Sequence, residues 1–311
     1  MSVLTVFRLS FFLRKSYTAF VSTPVSITAF YAFLPFTQEQ LKTIQAELKQ
    51  FGMDHGMRGL VLLAPEGING TVSGTDDVIK LWKEHLTSQF GDIIFKDSGA
   101  GRTVFRRWLV KIKPEIVSIK KEEIRPSGKH GHLSPEEFHR ALAEENIVII
   151  DTRNDYEVAI GKFQGAVDPG IKKFHEFPEY VAQSNIPKDK KVLMYCTGGI
   201  RCEKALLAME EQGYKNVYQL EGGILAYLQK FPEGKFEGEC FVFDHRVAVD
   251  QHLQPSQVYG LCPHCGDPGD VTITCSCGKQ QKICALCGRD EAKKTCSKRC
   301  ANMMRKKLVK A

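Results

Sequence analysis

No apolar run in these 311 residues approaches the roughly 18 needed for a membrane-crossing helix, so no membrane partner is expected. Acidic residues are missing from the start of the chain. The first is Glu39, whereas Arg8, Arg14 and Lys15 fall early, among several Ser and Thr. Residues 1–24 therefore read as an extension ahead of a folded domain, with an organelle transit segment as the alternative. A secretory signal is lacking too. Eleven cysteines without one argue against a disulfide framework and for free thiols in a reducing cytosol, so the expected compartment is cytoplasmic. No flavin or nicotinamide fingerprint and no His/carboxylate triad for iron stands out, and no organic cofactor is expected. His130, His132 and His139 lie close together, but in a linker and a helix start, where solvated histidines are ordinary.

The apolar fraction of 43% is that of a globular chain, and the length suits two or three domains. The formal net charge of +7 is concentrated at one end. Residues 260–311 hold eleven Lys/Arg against four Asp/Glu. A charge run is usually a solvated face, but this one also suits an anionic partner such as nucleic acid.

Three blocks separate along the chain. In the first, residues 25–120, strands are expected at 27–33, 58–64, 68–73, 93–96 and 104–113, with amphipathic helices at 37–51 and 75–90. The order βαββαβ is that of a ferredoxin-like α+β sandwich. Arg102, Arg106, Arg107, Lys111 and Lys113 form a basic stretch, read either as a phosphate-touching sheet edge or as the wet face of a strand. Residues 115–131 are charged and contain Pro126-Ser127-Gly128, as a linker would. The second block, 131–232, alternates helices (135–144, 202–212) with short apolar strands (147–151, 192–195, 217–220). That pattern implies a parallel sheet covered on both faces, with ligands at the carboxyl ends of its strands. Ser134-Pro135-Glu136-Glu137 opens it with a capping box. The third block, 259–311, is rich in cysteine, and residues 231–255 leading to it give little signal.

The stretch Tyr195-Cys196-Thr197-Gly198-Gly199-Ile200-Arg201-Cys202 carries the chemistry. A strand ends at Tyr195 and a helix starts near Cys202. Gly198 and Gly199 let successive N–H groups turn inward, and a nest at a helix N-terminus stabilises an anion. The anion at hand is the Cys196 thiolate or a group on its sulfur, with Arg201 favouring ionisation. A phosphatase loop places five residues between Cys and Arg. Here there are four, too few to wrap a phosphate. Cys202 reads as a thiol that could resolve an oxidised Cys196, or as a small apolar residue in a helical turn.

These residues carry a resemblance. Asp151-Thr152-Arg153 with Tyr156-Glu157 resembles the Asp-x-Arg element and following glutamate of rhodanese domains. Gly161-Lys162-Phe163-Gln164-Gly165-Ala166 resembles their Gly-His-Ile-x-Gly-Ala element, with Lys162 in place of histidine. Glu221-Gly222-Gly223-Ile224 is similar to their late Gly-Gly turn. Arg153 and Glu157 are expected to form a structural ion pair. More narrowly, residues 195–205 and the segment Ala64-Pro65-Glu66-Gly67-Ile68-Asn69-Gly70-Thr71 resemble the bacterial tRNA uridine(34) hydroxylases, a rhodanese-derived family. The resemblance implies oxygen-dependent conversion of the wobble uridine to 5-hydroxyuridine, with tRNA as partner, molecular oxygen as co-substrate and Cys196 essential. Cys196 would either attack C6 of uracil or carry an oxygen species on its sulfur. Thr197, Gly198, Gly199, Ile200 and Cys202 would cradle the reacting group beside Arg201. Glu66 and Asn69 would bind substrate or simply shape a hairpin. The alternative activity is a persulfide-forming sulfurtransferase of the rhodanese type, which uses the same loop. A non-catalytic rhodanese scaffold is disfavoured by the presence of both Cys196 and Arg201.

In the tail, Cys262-x2-Cys265, Cys275-x-Cys277, Cys284-x2-Cys287 and Cys296-x3-Cys300 make four close pairs. They suit two structural zinc ions with four thiolates each, pairing either with sequence neighbours or in an interleaved order. Lys279, Lys293, Lys298, Arg299, Arg305, Lys306 and Lys307 would meet tRNA phosphates.

Overall fold

A computed structural model describes residues 24–121, 123–127 and 130–308; the N-terminal extension, Pro24 apart, lies outside the described residues. The first layer is a five-stranded sheet in the order β4-β1-β3-β2-β5, built from β1 (Val25–Phe33), β2 (Arg58–Ala64), β3 (Gly67–Gly74), β4 (Lys96–Ala100) and β5 (Trp108–Ile112). Helices α1 (Gln38–Asp54) and α2 (Asp76–Phe90) connect them. Thr37 starts α1 with a capping box closed by Gln40, as a Thr three residues before Gln should. Strand side chains alternate between faces, and the two faces have different partners. Phe30, Val61, Leu63, Ile68 and Val72 pack with Leu41, Leu48, Ile79, Trp82 and Leu86 of the helices. The other face presents Ile27, Ala29, Tyr31, Leu60, Leu62, Asn69, Thr71, Lys96 and Ser98.

Two expected strands shift. Residues 93–95 precede the strand; Ile93 and Phe95 pack against the apolar core, and β4 begins at Lys96. The polar Lys-Asp-Ser-Gly run has no apolar period of its own, and pairing with β1 makes it a strand. Only the second half of 104–113 enters the sheet, as β5.

The second layer is a parallel sheet in the order β6-β10-β9-β7: β6 (His132–Leu133), β7 (Ile147–Asp151), β9 (Lys191–Tyr195) and β10 (Val217–Leu220). The short β8 (Gly161–Phe163) stands apart, paired with residues 236–238. Helices α5 (Phe177–Gln183) and α6 (Ile200–Glu211) cover one face. Helices α3 (Pro135–Ala141) and α7 (Gly223–Lys230) cover the other, and α4 (Asp155–Val158) follows β7.

Two segments, one expected as a linker and one with little sequence signal, contribute to the cores. In the charged stretch after β5, Ile116, Ile119 and Ile124 are buried, and the latter two join the α5–α6 core. Beyond α7, Phe236, Cys240, Val242 and Val249 join the α3–α7 core. From there Arg246 reaches back to β4, donating from Nη1 to Ser98 Oγ at 2.8 Å.

The tail contains a hairpin (Val271–Thr274 with Gln280–Ile283) and a closing helix (Lys298–Leu308). Its apolar core is little more than Ile283 among cysteines. The eight thiols gather in two sets, Cys262/Cys265/Cys284/Cys287 and Cys275/Cys277/Cys296/Cys300, with all sulfurs of a set within 4.8 Å of one another. First and third pairs come together, as do second and fourth, so the order is interleaved. Each set could hold a metal ion.

Candidate active site

Cys196 follows β9 directly and is fully buried. Of the two loop glycines, Gly199 has a left-handed φ and Gly198 does not. Gly199, at φ +97°, directs its N–H onto Cys196 Sγ at 3.1 Å, and the N–H groups of Gly198 and Arg201 also point at the sulfur. The loop is clamped from behind by the start of α7: Ile224 N–H donates to Cys196 O at 2.9 Å and Leu225 N–H to Thr197 O at 3.1 Å. A side chain at Gly223 would place its Cβ 2.5 Å from Cys196 O, so only glycine lets the two segments meet.

Burial alone would keep the Cys196 thiol neutral. The Cys202 thiol, the Arg201 charge and the backbone N–H groups overcome that and bring its pKa down to about 5. Cys202 moves the other way: burial and the adjoining Cys196 sulfur hold it protonated. The pair is thus a thiolate and its thiol donor.

Arg201 does not face into the cradle as a bare cation. Its Nη1 and Nη2 donate to the two Glu157 carboxylate oxygens at 2.6 and 2.8 Å, with Glu157 fully buried on α4. Phe243 lies against the guanidinium, 5.7 Å from its ring centre, and Thr197 Oγ1 lies 3.4 Å from Glu157. The expected Arg153–Glu157 pair is therefore corrected. Arg153 folds back on Asp151, with Nε to Oδ1 at 2.9 Å and Nη2 to Oδ2 at 2.6 Å, because the i, i+2 spacing brings the fork onto the carboxylate. Glu157 is left for Arg201.

The cysteine loop and the open face of the first sheet enclose a cavity of about 350 Å³. Ile27, Leu60, Leu62, Phe105 and Val117 give it apolar walls. Cys196, Thr197, Gly198, Ile200 and Arg201 line one side, and Tyr31, Asn69, Lys96 and Ser98 the other. Phe243, Asp244 and Arg246 complete it. Tyr31 donates to Glu203 at 2.8 Å and supports the Lys96 ammonium 4.2 Å from its ring centre.

Asn69 reaches the cavity, and its amide donates to Ile116 O at 3.0 Å. Glu66 is not among the lining residues. It accepts from Ile116 N–H at 2.8 Å and pairs with Lys204 Nζ at 2.8 Å. Lys204, buried in α6, also binds Glu115 at 2.7 Å. Its neighbour Glu203 gathers Tyr31, His132 (3.0 Å) and Gln219 (3.0 Å). Sequence reading passed over Tyr31, Lys96, Glu203, Lys204 and Arg246. For Glu203 and Lys204 a signal existed, since two charges adjoin the cysteine loop at a helix start, where burial forces them to find partners.

Comparison with known proteins follows the same division. Residues 25–116 match the UPF0176 acylphosphatase-like domain family, residues 134–230 the rhodanese-like domain family, and residues 237–301 the family described as rhodanase C-terminal. A tRNA uridine(34) hydroxylase of Bdellovibrio bacteriovorus is 47% identical over 287 residues, covering 90% of this chain and 81% of that protein. Its namesake in Synechocystis sp. is 42% identical, over 84% of this chain and 95% of the relative. That of Legionella pneumophila (strain Paris) is 41% identical, over 77% and 95%. With likeness of this extent spanning both layers and the cysteine loop, the chain belongs to the tRNA uridine(34) hydroxylase family.

Proposed function

We propose that this protein hydroxylates C5 of uridine 34 in tRNA, with Cys196 as the nucleophile and molecular oxygen as the oxidant. One observation carries the reading: the Cys196 thiolate opens into a small, largely apolar cavity, while the loop's own cation, Arg201, is taken by Glu157. The loop offers no spare cation to a dianionic sulfur donor. A cavity of about 350 Å³ sits at the low end of small-ligand pockets, which run from about 300 Å³ upward, and suits one base turned out of its stack.

The thiolate adds to C6 of the ring, which makes C5 electron-rich toward an oxidant. The overall balance is one dioxygen, two electrons and two protons per uridine, giving 5-hydroxyuridine and water, with the electrons from an external donor. Thr197 and Glu157 hold Arg201 in place, and Gly198, Gly199 and Ile200 shape the wall around the sulfur. Asn69 faces the substrate from the opposite sheet. Cys202 keeps Cys196 ionised by donating to it.

The two cysteine sets suit zinc. Tetrahedral thiolate coordination at about 2.3 Å implies sulfurs about 3.8 Å apart. The recorded separations are 3.5 Å for Cys265–Cys284 and Cys277–Cys296, and 3.7 Å for Cys296–Cys300. Bound zinc here crosslinks the tail and takes no part at the cavity. Lys279, Lys298 and Arg299 are exposed on this module, whereas Lys293 and Arg305 share Asp290, and the side chain of Lys307 lies outside those described. Arg106 and Arg107 are exposed beside Phe105 at the cavity, where the phosphates of a captured nucleotide would lie.

The test is mass spectrometry of tRNA nucleosides from cells lacking the protein, complemented with wild type or Cys196→Ser. The expected result is that 5-hydroxyuridine and its derivatives return with wild type only. Unchanged 5-hydroxyuridine with a fall in a thiolated nucleoside would replace this reading with the sulfurtransferase.

A further inference from the structure

Lys96 is a buried charge that the hydroxylase reading has so far left without a role. It is 4% exposed and stands on the cavity wall opposite Cys196. Its ammonium rests on the Tyr31 ring, in the fields of Cys196, Glu203 and Glu221. Burying an ammonium costs several kcal/mol, and its place on the edge strand β4 does not by itself call for a lysine. A buried cation aimed into a cavity shared with a thiolate has a chemical use.

We propose that Lys96 holds O4 of the captured uracil and stabilises the negative charge that develops there when Cys196 adds to C6. This rests on the hydroxylase reading and assigns a catalytic residue to it. In the step, the thiolate electron pair forms the S–C6 bond. The C5=C6 π pair becomes the C4=C5 bond of an enolate, and the carbonyl π pair moves to O4, where Lys96 donates a hydrogen bond. Addition at C6 is conjugated to the C4 carbonyl, so the charge arrives at O4 and not at O2. Protonation at C5 followed by reversal returns uridine with its C5 hydrogen exchanged. That exchange consumes no oxidant and can be followed alone.

The geometry supports a preorganised donor. Tyr31 is itself fixed by Glu203, and the Lys96 chain runs past Gly222, where a Cβ would come within 3.9 Å of Cε. The cavity thus has a nucleophile from the parallel layer and a cation from the first sheet, on opposite walls.

The experiment incubates the full-length protein with unmodified tRNA bearing uridine 34 in deuterated water without oxygen. Deuterium at C5 is read by nucleoside mass spectrometry. Wild type should exchange and Cys196→Ser should not. Lys96→Met should exchange at least about 100-fold more slowly, as for loss of one oxyanion donor, while binding tRNA as tightly and melting no lower than wild type. Lys96→Gln, which keeps a donor without the charge, should fall between the two and serves if Lys96→Met does not fold. Exchange by Lys96→Met within a few-fold of wild type would overturn the proposal. So would recovery of its rate at alkaline pH together with a raised alkylation midpoint for Cys196, which would make Lys96 a positioning residue for the thiolate. Hydroxylation under oxygen without any wild-type exchange would remove the role of Lys96 and leave the hydroxylase reading standing. Absence of both, with sulfur transfer instead, would remove the two together.

Discussion

A thiol buried as deeply as Cys196 should resist ionisation, and its neighbours reverse that. The pH profile should show them. Cys196 sits at about 5, so turnover should rise as pH climbs through that value and the nucleophile forms. Burial pulls Lys96 down to about 8 against the opposing pull of Cys196, Glu203 and Glu221, with Tyr31 also in contact, so turnover should fall again above pH 8 as the ammonium is lost. Cys202→Ala removes a donor to a charged sulfur, a bond worth about 1.5–3 kcal/mol, so the acidic limb should move up by about one to two units. Alkylation of Cys196 against pH measures that limb directly. The thiolate was legible in the sequence, because two glycines and an arginine after an apolar strand have few other uses. Lys96 was not. It stands at the end of the strand expected at 93–96, before a polar Asp-Ser-Gly run, and it is buried where Gly222 of the parallel layer comes over it.

At the scale of one element, the start of α6 acts as a hub. Successive residues on a helix point about 100° apart, so its first turn addresses every side of its surroundings. Ile200 faces the cavity, Arg201 holds Glu157, Cys202 meets Cys196, Glu203 gathers Tyr31, His132 and Gln219, and Lys204 ties Glu66 to Glu115. The last two join the first sheet to the parallel layer, beside the bonds of Arg246 to Ser98 and Gln229 to Asp97. Lys204→Met would leave two part-buried carboxylates facing each other and should destabilise the protein by about 3–5 kcal/mol. Urea unfolding would show it as a lower midpoint. A loss below 1 kcal/mol would mean that Lys204 contributes little to holding the two layers together. Sequence periodicity found α6 to within two residues, whereas Glu66 was open to two readings, a substrate group or a hairpin residue. Its side-chain partners are Ile116 N–H and Lys204, and no local pattern announces a meeting across such separations.

In the whole molecule, the interleaved cysteine pairs make the tail a single unit. The chain between Cys265 and Cys284 of one set carries Cys275 and Cys277 of the other. Elemental analysis should find two zinc ions per chain. Cys296→Ser should weaken both sites, not one, because loss of either ion frees the hairpin that the other depends on. A variant that keeps one ion at wild-type affinity would show independent sites. The spacing revealed thiolate sites but left their pairing open, since both arrangements fit four close pairs at similar intervals.

The cavity draws on Tyr31, Lys96, Cys196 and Arg246, positions spread over most of the chain. Synthesis runs in one direction, and a chain ended just after α7 holds every strand of the parallel sheet and the cysteine loop but not a complete active site. The wall carrying Phe243 and Arg246 is still to come. A nascent or prematurely ended chain would therefore expose an acidic, reactive thiol with no uridine-shaped chamber around it. The return of Arg246 to Ser98 is the event that turns a generic sulfur nucleophile into one with an enclosed substrate site.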